Sequence, residues 1–69
     1  MAVNYNKLWK KLIDMKMTKN ALRIQADMSS STMAKMSKNE IVSMDVILRI
    51  CRVLDCNIGD IMDATKEDQ

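Results

Sequence analysis

Residues 18–36, TKNALRIQADMSSSTMAKM, read as two short helices joined by a tight turn, with the outer side of the second helix left polar. Thr18 is placed to cap a first helix over about Lys19 to Ala26, in which Leu22 and Ala26 lie one turn apart on a buried face. Asp27 falls where that helix must end and the chain reverse, and Asp, like Asn, tolerates a left-handed backbone better than most residues. Met28 can plug the corner. Ser29 can then cap a second helix, Ser30 to Lys38, by accepting from the backbone N–H of Ser31 or Thr32.

On that second helix Met33 and Met36 share one face, so Ser31, Ala34, Lys35 and Lys38 point the other way. The outward face is small, hydroxylated and basic. Hydroxyls exchange hydrogen bonds with base edges or phosphates, and small side chains let a helix N-terminus approach a groove. The plainer reading is a capped surface helix that touches nothing, because serines at a helix start usually serve as caps.

In order, Met17-Thr18-Lys19, Leu22, Met28-Ser29-Ser30-Ser31-Thr32-Met33, Lys35-Met36, the polar turn Lys38-Asn39-Glu40 and Leu54-Asp55-Cys56-Asn57-Ile58 resemble the Cro and phage-repressor type (Xre-type) helix-turn-helix domains of bacteria. The similarity covers about Leu8 to Met62. No single piece is specific, but the ordered set is. The chain departs from the family at Arg23, where a small residue is usual, at Asp27 and Asn39, where Gly is usual, and at Ser37, often Glu. Asp and Asn are chemically consistent with left-handed turn positions. The guanidinium of Arg23 can extend outward toward phosphate.

The resemblance implies an all-α, compact five-helix lambda-repressor-like bundle, one domain over residues 1–69 with its core at about 5–63. It further implies a sequence-specific DNA-binding transcriptional regulator that places Ser30 to Lys38 in the major groove of double-stranded DNA. Base reading is carried onto Ser30, Ser31 and Lys35. Backbone contact is carried onto Lys19, Thr32, Lys38 and Asn39, with Arg23 as an addition. Lys35 suits guanine O6 and N7, whereas serines discriminate weakly between bases. A chain of 69 residues reads too few base pairs alone, so a homodimer acting as a repressor is expected.

Around the motif, Tyr5, Leu8, Trp9, Leu12 and Ile13 repeat at the spacing of an amphipathic first helix, preceded by a frayed Met1 to Asn4. Lys7 and Lys11 form a solvated basic row on its other side. After a loop over about Ser37 to Val42, Ser43 caps a fourth helix with Asp45 in its first turn and a buried stripe of Val46, Ile47, Ile50, Cys51 and Leu54. Asn57 and Asp60 resemble a capping box for a fifth helix carrying Ile58, Ile61 and Met62. Ala64 to Gln69 is polar and expected to be disordered.

Composition narrows the function classes. There is no Pro, one Gly and almost no strand-like alternation, and with only Tyr5 and Trp9 as aromatics the core must draw on aliphatic residues and eight methionines. Residues 1–42 hold seven lysines and Arg23 against Asp14, Asp27 and Glu40, an excess of five positive charges, whereas residues 43–69 carry an excess of three negative ones. A polyanion is drawn to the half that contains the helix pair. No apolar run approaches the roughly 20 residues of a membrane span, which points to the cytoplasm.

Cys51 and Cys56, with no His anywhere, cannot assemble a zinc site of the usual kind and read as reduced apolar side chains. Neither a Gly-rich phosphate loop nor a metal-ligand cluster is present, so no enzyme, no cofactor, no metal and no small-molecule ligand is expected. The alternative from another class is a protein-interaction module, antitoxin-like or a co-regulator subunit, on the same scaffold.

Overall fold

Three hydroxyl side chains start three of the helices. In the computed structural model, which describes residues 2–66, the order is β1 (Ala2–Asn4), α1 (Asn6–Asp14), α2 (Lys19–Gln25), α3 (Ser30–Ser37), α4 (Met44–Leu54), one 3₁₀ turn (Ile58–Asp60) and β2 (Asp63–Thr65). Thr18 Oγ1 accepts from Ala21 N at 3.0 Å, Ser29 Oγ from Thr32 N at 3.1 Å and Ser43 Oγ from Val46 N at 3.3 Å. Each satisfies an amide that has no partner inside its own helix.

All four α-helices also end alike. Lys16, Asp27, Asn39 and Asp55, the residues that turn the chain out of α1, α2, α3 and α4, have φ between 53° and 60°. The next amide then reaches back five residues, Met17 N to Leu12 O, Met28 N to Arg23 O, Glu40 N to Lys35 O and Cys56 N to Cys51 O, at 2.9–3.1 Å. This is the Schellman closure, with its left-handed residue supplied every time by something other than glycine. Asp27 and Asn39 are thus left-handed as their chemistry suggested. The last closure also folds Cys56 back beside Cys51, both free thiols and half-buried.

Between these ends lies one core. Tyr5, Leu8, Leu22, Met36, Ile50 and Ile61 are its most completely buried members, with Leu12, Ala26, Met28, Met33, Val46, Ile47 and Leu54 around them. Met17 and Met62 pack against its edge, while Met15 and Met44 are exposed. Methionine therefore serves chiefly as packing material between short helices.

Among the described residues, the expectation of five helices is corrected to four α-helices, a single 3₁₀ turn and a small sheet. Residues 58–60 contain Gly59, and one turn that fixes several residues for few hydrogen bonds does not propagate. Asp60 Oδ2 does accept from Asn57 N at 3.0 Å, so the capping contact forms although only a 3₁₀ turn, and no α-helix, follows it. From there the chain runs back along its own beginning, pairing antiparallel in the register Ala2↔Thr65, Val3↔Ala64 and Asn4↔Asp63.

Ala2 to Asn4 is consequently a strand where fraying was expected, and Ala64 and Thr65 are ordered; Met1 and residues 67–69 lie outside the described residues. Ile13 is corrected too, being 75% exposed. It sits about 120° around α1 from the line through Leu8 and Leu12. The basic row is also interrupted, because Lys7 Nζ donates to Gly59 O at 3.0 Å and pairs with Asp63 at 3.1 Å.

Candidate nucleic-acid interface

The two motif helices meet through small and flexible side chains. Leu22 and Ala26 of the α2 segment are buried, Met28 fills the corner at 5% exposure, and α3 lays Met33 and Met36 into the core. α2 spans Lys19–Gln25 with Ala26 as its C-cap, and α3 spans Ser30–Ser37 with Lys38 as its C-cap. Both end one residue short of the sequence expectation. Ser30, Ser31, Ala34, Lys35 and Lys38 are exposed on the other side of α3.

At the start of α3 the hydroxyls are linked. Ser29 Oγ lies 3.1 Å from Ser31 Oγ and 2.9 Å from Thr32 Oγ1, so the cap also orients Ser31 of the outward face and Thr32 beside it. Ser31 is exposed and Thr32 half-buried. Among the described residues neither Lys35 nor Lys38 has a hydrogen-bond or ion-pair partner, which leaves two ammonium groups available on one helix face. Near the turn, Arg23 folds along α2. Its Nε–H and Nη2–H donate to Asn20 Oδ1 at 3.1 and 2.8 Å, and Nη1 reaches Met28 O at 3.5 Å.

Lys19 is more committed than its position at a helix start suggested. Its Nζ stands 4.1 Å from the centroid of the Trp9 ring and donates to Ser37 Oγ at 3.1 Å. Trp9, Leu12, Ile13, Met17 and Lys19 line a mainly apolar hollow of about 150 Å³ beside this contact.

Two residues that hold the motif in place were not anticipated. Arg49 donates from Nη1 to Asp27 O at 2.6 Å and to Ala26 O at 3.4 Å, while Nε donates to Asp45 Oδ2 at 3.0 Å and Nη2 completes the ion pair. A cation on these carbonyls at the C-cap and turn just past α2 is favourably placed with respect to the helix dipole and ties the turn to α4. The spacing of Asp45 and Arg49, four apart on one helix, was the available signal.

Tyr5 is the second. Its hydroxyl donates to Glu40 O at 2.8 Å and its backbone N–H to Asn39 Oδ1 at 3.4 Å, which fixes the loop after α3. Burial pushes the phenol pKa up, opposed by a hydrogen bond from the Val42 backbone. Nothing in the sequence marked Tyr5 as more than an apolar member of the first helix.

Two helices crossing at a tight, left-handed turn, capped by hydroxyls and with the second helix carrying a free basic face, define a lambda-repressor-like helix-turn-helix domain. Residues 7–67 match the Cro/C1-type HTH DNA-binding domain, and the chain belongs to that family. Among solved structures it is similar to the crystal structure of the transcriptional regulator VanUg, form II, with 53% sequence identity, a TM-score of 0.92, and coverage of 96% of this chain and 88% of that one. No curated protein matches it. Among the described residues there is no group of three His, Cys, Asp or Glu side chains that could hold a metal ion, and no helix is long and apolar enough to cross a membrane.

Proposed function

We propose that this chain is a sequence-specific DNA-binding transcriptional regulator that lays α3 in the major groove and represses by occupying its site. The observation that carries the reading is the outward face of α3, where small hydroxylated residues at the N-terminus are followed by Lys35 and Lys38 with no partner among the described residues. N-terminal residues of the second helix touch base edges in such domains, so Ser30, Ser31 and Lys35 read bases. Lys19, Thr32, Lys38 and Asn39 contact the phosphate backbone, and Arg23 adds a contact by turning one of its remaining N–H donors outward. The family match and the transcriptional-regulator description of VanUg support this assignment.

One eight-residue reading helix covers few base pairs, so the functional unit is a symmetric dimer on an inverted repeat. Its half-sites lie about 10 base pairs apart, centre to centre. Selection of bound sequences from a random duplex pool, followed by a salt titration on the selected site, tests the reading. An inverted repeat bound with steep salt dependence is the expected result. Binding that barely responds to salt, or recovery of no preferred sequence, would replace it with the protein-interaction module.

A further inference from the structure

α4 buries Val46, Ile47, Ile50 and Leu54 on one side, yet its opposite side is not uniformly polar. Met44 is 58% exposed and Leu48, one turn on, is 52% exposed, with Ile41 at 75% just before the helix. A helix that only faced water would carry polar residues there. The charges beside this row are balanced, Asp45 and Asp55 against Arg49 and Arg52. Arg49 is occupied at the turn, whereas Arg52 has no hydrogen-bond or ion-pair partner among the described residues. Asp45 engages Arg49 through Oδ2 alone, which leaves its second oxygen to accept.

We infer that the outer face of α4, centred on Leu48, is the surface on which a second copy of this chain docks. This rests on the symmetric-dimer reading above and names its interface. In an antiparallel α4 pair related by a twofold axis near Leu48 and Arg49, Leu48 meets its own counterpart. In the same register Asp45 of each protomer comes opposite Arg52 of the other. That arrangement covers Leu48, gives Arg52 a carboxylate partner and gives the second oxygen of Asp45 a further cation, twice over by symmetry, which no single-signed partner surface would do. An eleven-residue helix and its flanks bury less than the roughly 1,200 Å² of a stable interface. Association is therefore concentration-dependent in solution and is completed on DNA, where the second half-site holds the second copy.

The test uses the full chain with Leu48→Glu and Leu48→Lys, each checked for wild-type helical content by circular dichroism, and Ile13→Glu as an exposed apolar control away from the face. Sedimentation equilibrium should show the wild type and Ile13→Glu associating alike. Each Leu48 variant alone should dissociate by about tenfold or more, because like charges meet at the axis. Mixing the Glu and Lys variants should restore a one-to-one pair, an outcome that a damaged fold cannot produce. On DNA, Leu48→Glu should keep its base preference on an isolated half-site while losing cooperative filling of the repeat. Loss of preference on the half-site by the wild type itself would instead indict the DNA-reading assignment. Undiminished association of either Leu48 variant, failure of the mixture to pair, or a wild type that stays monomeric with and without DNA overturns the interface.

Discussion

The ammonium of Lys19 lies 4.1 Å from the centre of the Trp9 ring, and through its bond to Ser37 Oγ one side chain links α1, the start of α2 and the end of α3. A cation over an indole face at an exposed site contributes about 0.5–1 kcal/mol, so Lys19→Ala should lower stability by that amount. On the proposed reading the same ammonium also meets a phosphate, and Trp9 is the only tryptophan in the chain. Titration with duplex DNA should therefore change Trp9 emission in the wild type and leave it nearly constant in Lys19→Ala. Affinity for matched and mismatched sites should fall equally, and the salt slope should drop by about one. Loss of sequence preference in this variant would show that Lys19 acts on bases or through a displaced α3.

Tyr5 joins the chain start to the loop that follows α3, and its buried phenol gives that joint a pH dependence. Tyr5→Phe removes the hydrogen bond to the Glu40 carbonyl and should cost about 0.5–1.5 kcal/mol at neutral pH. The folded pKa of Tyr5 lies above the unfolded value of about 10, so above that pH the unfolded chain releases a proton that the folded chain keeps. Stability from this group is fully present below the unfolded pKa and is lost as pH rises toward the folded one. Urea melts of both proteins should thus show the gap between them narrowing above about pH 10. A constant gap would mean that the phenol ionises equally in both states.

Much of the motif was legible because its chemistry is local. Thr18, Ser29 and Ser43 announce helix starts by a hydroxyl that serves an amide two or three residues on, and Asp27 and Asn39 announce left-handed turns by residue type. Met33 and Met36 assign the inner face of α3 from spacing alone. What the sequence hid depends on distant partners. The pairing of Val3 with Ala64 has no turn signal, since the strands sit at opposite ends of the chain. Asp45 and Arg49 are four apart on one helix, but only the fold brings Arg49 to the Asp27 carbonyl. Lys16 was hidden for another reason, because lysine is not among the residue types enriched at positive φ, yet it holds φ 56°.

That strain can be relieved. A residue with a Cβ held in the left-handed region costs roughly 1–2 kcal/mol, and Gly returns part of the gain through its greater unfolded entropy. Lys16→Gly should raise stability by about 0.5–1 kcal/mol, more than Asn39→Gly, since Asn tolerates the conformation and Asn39 also accepts from Tyr5. Lys16→Val should be worse than the wild type, β-branching being the least compatible with positive φ. Thermal melts of the three variants order these effects, and a destabilised Lys16→Gly would show that the lysine stem contributes packing that outweighs its backbone strain.

Cys56 carries a thiol whose pKa is pushed up by burial first and by the neighbouring Cys51 next. Since the thiolate is the nucleophile, alkylation of Cys56 at neutral pH should be slower than that of a free cysteine and should accelerate on unfolding. Cys51→Ser should cost stability without altering DNA binding, because the thiol packs against the core edge. Reversible loss of DNA binding on oxidation, prevented by Cys56→Ser, would reassign the pair to redox sensing.

Lys35 offers the sharpest separation of base reading from backbone contact, because it shares the exposed side of α3 with Lys38 while differing from it in position along the helix. Lys38 is the C-cap residue of α3, at the end farther from the N-terminal residues proposed to enter the groove. Lys35 lies one turn nearer them and opposite Met33 and Met36. If Lys35 donates to guanine O6 and N7, Lys35→Ala should relax preference at one position per half-site. Discrimination there should fall by about 1–3 kcal/mol, with other positions read as before. Lys38→Ala should weaken all sequences together and lower the salt slope by about one. Measuring both variants against the selected site and each single-base mismatch, at several salt concentrations, distinguishes the roles. A uniform loss in Lys35→Ala would move that residue to the phosphates and leave base reading to Ser30 and Ser31. A change in preference in Lys38→Ala would mean that α3 lies deeper along the groove than its N-terminal hydroxyls suggest.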